Sequence, residues 1–203
     1  MKTRDWVVNG DGNYELCKSV RPWDLLKDNY RLYRFLTEVE DALHGVEEEH
    51  SQLPTIRKLV RKLVLNSYWV KSQRFDPNPD NGIAVSVLYE ELGFPFTVQT
   101  VKFYPGAVST VHTHGTWGVV AILKGQEKNT FWQRIPTADG EINVQRTGEL
   151  ILFPGDIISF TPDAIHSIEA LGDEPTITFN IYGETKMQER FEFDRDTHTM
   201  KNF

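Results

Sequence analysis

The sequence predicts a mainly β fold, a β-sandwich or barrel preceded by an N-terminal helical segment. Three observations lead to this prediction. From about Ile83 onward, short runs rich in Val, Ile, Thr and Phe follow one another. Turn signals separate these runs, among them PG at 105–106, DG at 139–140 and PGD at 154–156. Before residue 75 the apolar residues instead recur at helical spacings of three or four.

Two helices are predicted in the N-terminal segment. The first runs from about Leu25 to Leu43 and stops at Gly45. Its apolar stripe consists of Leu26, Tyr30, Tyr33, Leu36, Val39 and Leu43. The second begins near Ser51 and Pro54, and its stripe consists of Ile56, Leu59, Val60, Leu63 and Val64. We expect both helices to pack on one end or face of the barrel, with a lid or a partner surface as the alternative.

Strand-like runs follow the polar loop SQRFDPNPDNG at 72–82. They are AVSVLYE, FTVQTVKF, WGVVAILK, NTFWQRI, INVQRT, ELILF and TITFNIY. We predict one domain over residues 1–203, in which a helical extension, residues 1–75, packs on a β-barrel formed by residues 76–203. Two helices in about 75 residues would make a poor independent core.

The composition is that of an ordinary globular protein, with 39% hydrophobic and 25% charged residues. The net charge of −7 disfavours nucleic acid or an anionic membrane as the main partner. No apolar run approaches the roughly 20 residues of a transmembrane helix, and the start of the chain has no apolar secretion-signal core. Cys17 is the single cysteine, which excludes an internal disulfide and is typical of the cytoplasm. The oligomeric state is left open.

Three of the six histidines lie where a metal site would need them. His112 and His114 form an H-x-H pair in the β-like segment YPGAVSTVHTHGTWGVV. Two residues apart on a strand, both imidazoles project from one face, whereas on a helix they would diverge by about 200°. His166 follows a second Pro-Gly turn, and a distant strand of a barrel can supply such a third ligand. An isolated H-x-H is often incidental; His44, His50 and His198, in polar surroundings, are expected to be solvated.

The residues around these histidines resemble the two motifs of the cupin superfamily. The first motif, G-x5-H-x-H-x3,4-E-x6-G, is matched by Gly106, His112, His114 and Gly125, and Gly118 occupies its glutamate position. The second, G-x5-P-x-G-x2-H-x3-N, is matched loosely by Gly155, Pro162 and His166, and Ala170 replaces its asparagine. The resemblance implies a double-stranded β-helix, or jelly-roll, barrel. It also implies one metal ion bound by three histidines, without the fourth ligand that a glutamate would supply.

Within the superfamily, the segment HTHGTWGVVAILKGQEKNTFW is similar to the bacterial thiol dioxygenases, the family of cysteine dioxygenase and 3-mercaptopropionate dioxygenase. The mammalian enzymes carry a cysteine, crosslinked to a tyrosine, where this chain has Gly118, so that crosslink is excluded here. The resemblance covers about residues 84 to 185. It implies Fe(II) as cofactor, although imidazole also suits other divalent metals such as Zn or Ni, and it implies a small thiol and O2 as substrates.

The family also has a Ser-x-His-x-Tyr string on a late strand. Tyr182 matches the tyrosine and is the predicted catalytic residue; Thr178 is a conservative match for the serine, and Asn180 departs from the histidine. Two-residue periodicity places these three side chains on one face. Plain core packing is the alternative for Tyr182. Trp117, three residues after His114, is expected to form a wall of the pocket.

The family holds its substrate carboxylate with an arginine or glutamine on an early strand. Counting back from the H-x-H pair without gaps leads to Ser86, which is neither. Arg190 and Arg195 are possible replacements, and as charged residues near the C-terminus they are also typical surface residues. The substrate-binding residues therefore stay unassigned from sequence.

Three neutral imidazoles leave the +2 charge of a metal uncompensated and up to three coordination positions open. A substrate thiolate would supply the missing negative charge, because metal coordination deprotonates a thiol. Together with the resemblance, this predicts a non-haem Fe(II) thiol dioxygenase that forms a sulfinic acid. Three alternatives stay open: a three-histidine dioxygenase that cleaves a carbon–carbon bond in a diketone-like substrate, a zinc hydrolase or isomerase, and a non-catalytic metal-binding cupin.

Overall fold

Two β-sheets face each other in the computed structural model, which describes residues 3–25, 30–75, 81–91, 95–136, 142–194, 197 and 199–202. The strands are β1 (Asp5–Val8), β2 (Tyr14–Cys17), β3 (Ile83–Tyr89), β4 (Phe96–Phe103), β5 (Val111–His112), β6 (Gly118–Lys124), β7 (Gln126–Pro136), β8 (Ile142–Leu152), β9 (Ile157–Phe160), β10 (Ile165–Leu171), β11 (Thr176–Gly183), β12 (Phe191–Asp194) and β13 (Thr199–Asn202). The helices are α1 (Pro22–Leu25), α2 (Leu32–Leu43), α3 (Leu53–Asn66) and α4 (Tyr68–Lys71), with short 3-10 helices at Glu49–Gln52 and Met187–Glu189.

The strand order is that of a jelly roll. One sheet has the order β2-β1-β9-β6-β11-β4-β3, and the other has the order β13-β12-β5-β10-β7-β8. The eight strands from β4 to β11 therefore form two four-stranded layers, β9-β6-β11-β4 and β5-β10-β7-β8, which is the arrangement of a double-stranded β-helix. Neighbouring strands are antiparallel except for β1 and β9, which are parallel. The predicted mainly β, jelly-roll fold class is confirmed.

The helices cover the outer face of the first sheet. The apolar stripe predicted for the second helix is buried, and it shares one core cluster with Val98, Val119, Phe179 and Ile181 of the sheet. α3 begins at Leu53, between the predicted start residues Ser51 and Pro54. As predicted, α2 ends at Leu43 before Gly45, whose φ of 71° is the left-handed conformation that terminates a helix. The start predicted for the first helix is wrong: Tyr30 and Arg31 are not helical, and α2 begins at Leu32. Leu26 lies outside the described residues.

The segment predicted as a helical extension, residues 1–75, also contributes two strands. β1 pairs with β9 and so extends the first sheet of the barrel. A buried ion pair between Asp5 and Arg61 ties β1 to α3, and Arg61 also donates to the carbonyl of Gly155 at 2.9 Å. Removing one partner of a buried pair costs about 3–5 kcal/mol, so this contact fixes the helices on the sheet. No described helix is both long and apolar enough to cross a bilayer.

The runs predicted as two strands, INVQRT and ELILF, form the single strand β8. Gly148, between the two predicted runs, allows a close approach: a Cβ added at this position would lie 2.7 Å from Cε1 of Tyr14. The pairing of β7 with β8 shifts by one residue beside this glycine, between Phe131 and Trp132. The irregularity is therefore a bulge within a strand rather than a turn. The predicted turn at 139–140 lies outside the described residues.

Candidate metal centre

His112, His114 and His166 bring their imidazoles to one point between the two sheets. One ring nitrogen of each lies within 4.8 Å of the others, and no further His, Cys, Asp or Glu of the described residues joins this group. The Nε2 atoms of His114 and His166 are 2.9 Å apart, and the ring centroids are separated by 4.7 to 5.1 Å. The structure thus brings together all three predicted ligands.

The short strand β5 places the first of these histidines. His112 is directly opposite His166 in the pairing of β5 with β10, and residues opposite each other in a sheet project from the same face. The sequence prediction put both members of the H-x-H pair on one strand, but β5 ends at His112. His114 lies just beyond it, before Gly115, whose φ is 64°. The i, i+2 convergence holds although the chain turns at this point.

The three imidazoles are neutral at physiological pH. Burial lowers the pKa of His112, and burial together with the neighbouring imidazoles lowers the pKa values of His114 and His166 well below the usual range. Nδ1 of His112 lies 3.0 Å from the carbonyl oxygen of Thr110, which can only accept, so this nitrogen carries the proton. The lone pair of the ring is then on Nε2. A set of neutral imidazoles with lone pairs directed to one point fits a divalent transition metal.

Gly118, at the glutamate position of the first motif, lies under the ring of Tyr182. The two residues are opposite each other in the pairing of β6 with β11, and a Cβ added to Gly118 would lie 2.8 Å from Cδ1 of Tyr182. The Tyr182 ring stacks on His114, with centroids 4.6 Å apart and an interplanar angle of 24°. A glutamate would not fit here without displacing this ring. The aromatic ring therefore takes the space in which a fourth ligand would lie.

Tyr182 is held as a neutral hydrogen-bond donor. Burial and the nearby Glu127 carboxylate raise its pKa far above the usual range. Nδ2 of Asn180 donates to the Tyr182 hydroxyl oxygen at 3.3 Å, which leaves the phenolic proton free for another acceptor. Asn180 thus connects to the tyrosine by a hydrogen bond although it replaces the family's histidine. Thr178 is buried on the same face, and its hydroxyl has no partner among the described residues.

Trp117 lies elsewhere than predicted. Its ring belongs to the core on the helix side of the sheet, with Phe96, Val119 and the helices, and its indole nitrogen donates to Glu49 at 2.6 Å. Trp117 and Gly118 are adjacent, so their side-chain positions point to opposite faces of the sheet. The prediction of a pocket wall is therefore wrong for Trp117. Among the described residues, Tyr182 and Phe160 contribute aromatic rings that contact the histidines, and the Phe160 and His166 centroids are 4.3 Å apart.

The C-terminal segment lies over the H-x-H turn. The Thr113 amide donates to the Phe191 carbonyl at 2.9 Å, and the Thr113 hydroxyl donates to the Glu189 carbonyl at 3.0 Å. The Lys186 amide donates to the Gly115 carbonyl at 3.2 Å. Arg190 lies within this segment, and its charge lowers the pKa values of His112 and His114. Arg190 is thus a neighbour of the centre. Arg195 and His198 lie outside the described residues, and His44 and His50 are exposed.

Ser86, the position found by counting back along the chain, is not at the centre. It lies opposite Thr100 in the pairing of β3 with β4, and its strand neighbour Leu88 packs into the helix-side core. On β4 the residue opposite Asn180 is Gln99, which shares the inner face of the sheet with it. Gln99 was not predicted from the sequence, and neither were Glu127 and Asn129 of β7, which are buried near the histidines. Only the strand register shows that these polar residues face inward.

No family model matches the chain. Solved structures that resemble it include Peruvianin-I, a cysteine peptidase from Thevetia peruviana latex, with 19% identity, 57% of this chain and 70% of that chain covered, and a TM-score of 0.41. An oxalate oxidase matches with 17% identity, 59% of each chain and a TM-score of 0.41. A cupin superfamily protein from Desulfitobacterium hafniense matches with 14% identity, 58% of this chain, 89% of that chain and a TM-score of 0.42. Cupins are thus among the similar structures.

Substituting any one of the three histidines by alanine should abolish tight metal binding, because each supplies one of three ligands. We expect the affinity for Zn(II) in His112→Ala, His114→Ala and His166→Ala to fall by more than about 100-fold, beyond the cost of losing a residue that only supports a ligand. Isothermal titration of the purified proteins measures this. The exposed His44→Ala serves as the control and should bind as the wild type does. Full affinity in one of the three variants would remove that histidine from the centre.

Proposed function

We propose that the protein is a non-haem Fe(II) dioxygenase that oxidises a small thiol carrying a carboxylate to its sulfinic acid with O2. The observation that carries this proposal is the neutral three-histidine centre in which Tyr182 fills the place of a fourth ligand above Gly118. Such a centre keeps the full charge of the metal for an anionic substrate. The resemblance of the H-x-H segment to thiol dioxygenases supports the same assignment.

The overall reaction balances without a further reactant. The S–H bond of the thiol and the O–O bond of O2 break and two S–O bonds form. Sulfur gives four electrons to O2 and the proton stays on the product, so RSH and O2 yield RSO2H. When bound, Fe(II) would supply deprotonation of the thiol and electron transfer to O2. His112, His114 and His166 would hold the ion. The remaining tasks, binding and orienting the substrate and supplying a hydrogen bond, fall to this chain's other residues.

Tyr182 is suited to donate a hydrogen bond to the reacting sulfur or oxygen atoms. Its ring is fixed against His114, and its hydroxyl already accepts from Asn180, so its own proton is directed elsewhere. Its raised pKa keeps that proton in place at neutral pH. A donor positioned before the reaction and shielded from water stabilises developing negative charge better than solvent does.

Arg190 is suited to hold the substrate carboxylate. The hydrogen bonds between its segment and the H-x-H turn fix it beside the centre, and its charge acts on His112, His114 and Tyr182 together. A guanidinium recognises a carboxylate through two parallel hydrogen bonds. Arg190 would then bind the substrate carboxylate in place of the arginine or glutamine that thiol dioxygenases carry on an early strand. With the metal it creates a positive entrance that favours an anionic substrate.

Oxygen consumption by the Fe(II)-loaded protein tests the proposal. We expect consumption with 3-mercaptopropionate or cysteine, with one O2 used and one sulfinic acid formed per thiol, and none with a diketone such as acetylacetone. Product identity is established by mass spectrometry with 18O2, which should place two labelled oxygen atoms in the sulfinic acid. Consumption with acetylacetone alone would favour carbon–carbon bond cleavage. An iron-loaded protein that consumes no O2 with any thiol contradicts the assignment.

Arg190→Gln should weaken binding of thiols that carry a carboxylate. Loss of a hydrogen-bonded charge pair is worth about 1.5–3 kcal/mol, so we expect KM for 3-mercaptopropionate to rise by about tenfold or more. KM for 2-mercaptoethanol, which has no carboxylate, should not change. Lys186→Gln removes a positive charge from an exposed residue of the same segment and is the matched control. An equal rise in KM for both thiols would assign Arg190 a structural role instead.

Tyr182→Phe should retain the metal and lower kcat. Removing one positioned donor from a catalytic site costs about 100-fold or more in kcat. The iron content, measured by atomic absorption, should equal that of the wild type because the ring remains. Tyr33→Phe, at an exposed position on α2, controls for the loss of a hydroxyl as such. A Tyr182→Phe variant with unchanged kcat would show that this tyrosine only packs.

A further inference from the structure

A chain of two hydrogen bonds leads from His166 into the interior of the barrel. Nδ1 of His166 lies 2.9 Å from Oδ1 of Asn129, and Nδ2 of Asn129 donates to Oε1 of Glu127 at 2.7 Å. Neither the sequence motifs nor the proposed reaction uses these two residues. From this geometry we propose that Glu127, acting through Asn129, is a positioning residue that fixes the tautomer and orientation of His166 for metal binding. This inference rests on the proposed metal centre.

The direction of the chain follows from its hydrogen-bond donors and acceptors. An amide presents an acceptor at one end and a donor at the other. Because the Glu127 oxygen receives the Asn129 N–H, the Asn129 oxygen is turned toward His166 and must receive a proton from Nδ1. The lone pair of His166 is then on Nε2, the atom that faces His114. With the amide reversed, Nδ1 would become the acceptor and Nε2 would carry the proton.

His166 needs such a side-chain partner more than His112 does. His112 has the carbonyl of Thr110 within 3.0 Å of its Nδ1. His166 lies inside β10, between β5 and β7, where the backbone groups of neighbouring strands pair with one another. A side chain from β7 is therefore the available acceptor. Asn129 reaches it from the inner face of β7, and Glu127, two residues away, lies on the same face.

Packing alone does not explain a glutamate at position 127. The residue is 1% exposed and Asn129 is 0% exposed, and Oε2 of Glu127 has no hydrogen-bond partner among the described residues. Burial raises the pKa of Glu127 to about 7, which reflects the cost of placing a carboxyl group in the barrel. Apolar residues fill neighbouring positions, including Leu152 opposite it on β8 and Ala170 opposite it on β10. A leucine at this position would cost less free energy on folding than a buried carboxyl group, so we infer that the carboxyl group has another role.

The test separates the hydrogen bond from the packing. Asn129→Leu and Glu127→Leu remove the chain, whereas Glu127→Gln keeps an oxygen that can accept from Asn129. We expect the affinity for Zn(II) alone, measured by isothermal titration, to fall about 10–100-fold in both leucine variants and to stay within about threefold of the wild type in Glu127→Gln. Long-range 1H–15N correlation spectra of the metal-free protein should show His166 as the Nδ1–H tautomer in the wild type and in Glu127→Gln. This tautomer preference should be lost in the leucine variants.

Thr176→Val is the matched control, because Thr176 is also buried and donates to β7, at the Gln126 carbonyl, without a connection to the histidines. It should leave both the Zn(II) affinity and the His166 tautomer unchanged.

Wild-type affinity in Asn129→Leu and Glu127→Leu overturns the inference, and so does a Glu127→Gln variant that binds Zn(II) as weakly as Glu127→Leu. A wild-type protein that binds no Zn(II) removes the metal centre itself. A protein that binds Zn(II) as expected but oxidises no thiol when loaded with iron leaves this inference standing and removes the proposed reaction.

Discussion

The centre depends on a strand of two residues. β5 is held on one side by β10, which places His112 opposite His166, and on the other side by β12, which places His112 opposite Glu192. Two imidazoles meet because of the first pairing. The second pairing brings the C-terminal segment over the H-x-H turn and fixes Arg190 there. The metal ligands and the proposed carboxylate contact therefore depend on the same short piece of sheet.

A second constraint keeps the centre free of protein carboxylates. Gly118 and Tyr182 lie opposite each other in the pairing of β6 with β11. The tyrosine ring fits against β6 only because Gly118 has no side chain. The same contact fixes the ring against His114. A single glycine thus removes a possible ligand and orients a hydrogen-bond donor. The buried carboxyl group of Glu127 is separated from His166 by Asn129, to which it is hydrogen-bonded.

Local sequence patterns were sufficient to predict the parts of the site that repeat at a fixed spacing. The convergence of the H-x-H pair and the face shared by Thr178, Asn180 and Tyr182 follow from two-residue alternation. The third histidine, His166, was predicted from the Pro-Gly turn before it and from the resemblance to the second motif. The same rule could not show that Glu127 and Asn129 face inward, because alternation defines two faces without saying which one is inside. The register of β7 against β10 puts Glu127 and Asn129 on the same face as His166. That register depends on residues far apart in the chain. The prediction that Trp117 forms a pocket wall was based on its position three residues after His114, and closeness along the chain does not show which face of the sheet a side chain is on. β1 and β2 are short strands within a segment dominated by helical patterns, which is why they were missed.

The central claim is that three neutral imidazoles and no carboxylate of the protein bind the metal. X-ray absorption spectroscopy of the Fe(II)-loaded protein tests this claim most directly, because multiple scattering from imidazole rings reveals their number and a sulfur neighbour is distinct from nitrogen or oxygen. The account predicts about three imidazoles per iron in the resting protein and one added sulfur neighbour after anaerobic addition of 3-mercaptopropionate. A spectrum with fewer than two imidazoles, or one that gains no sulfur neighbour with any thiol tested, would contradict it.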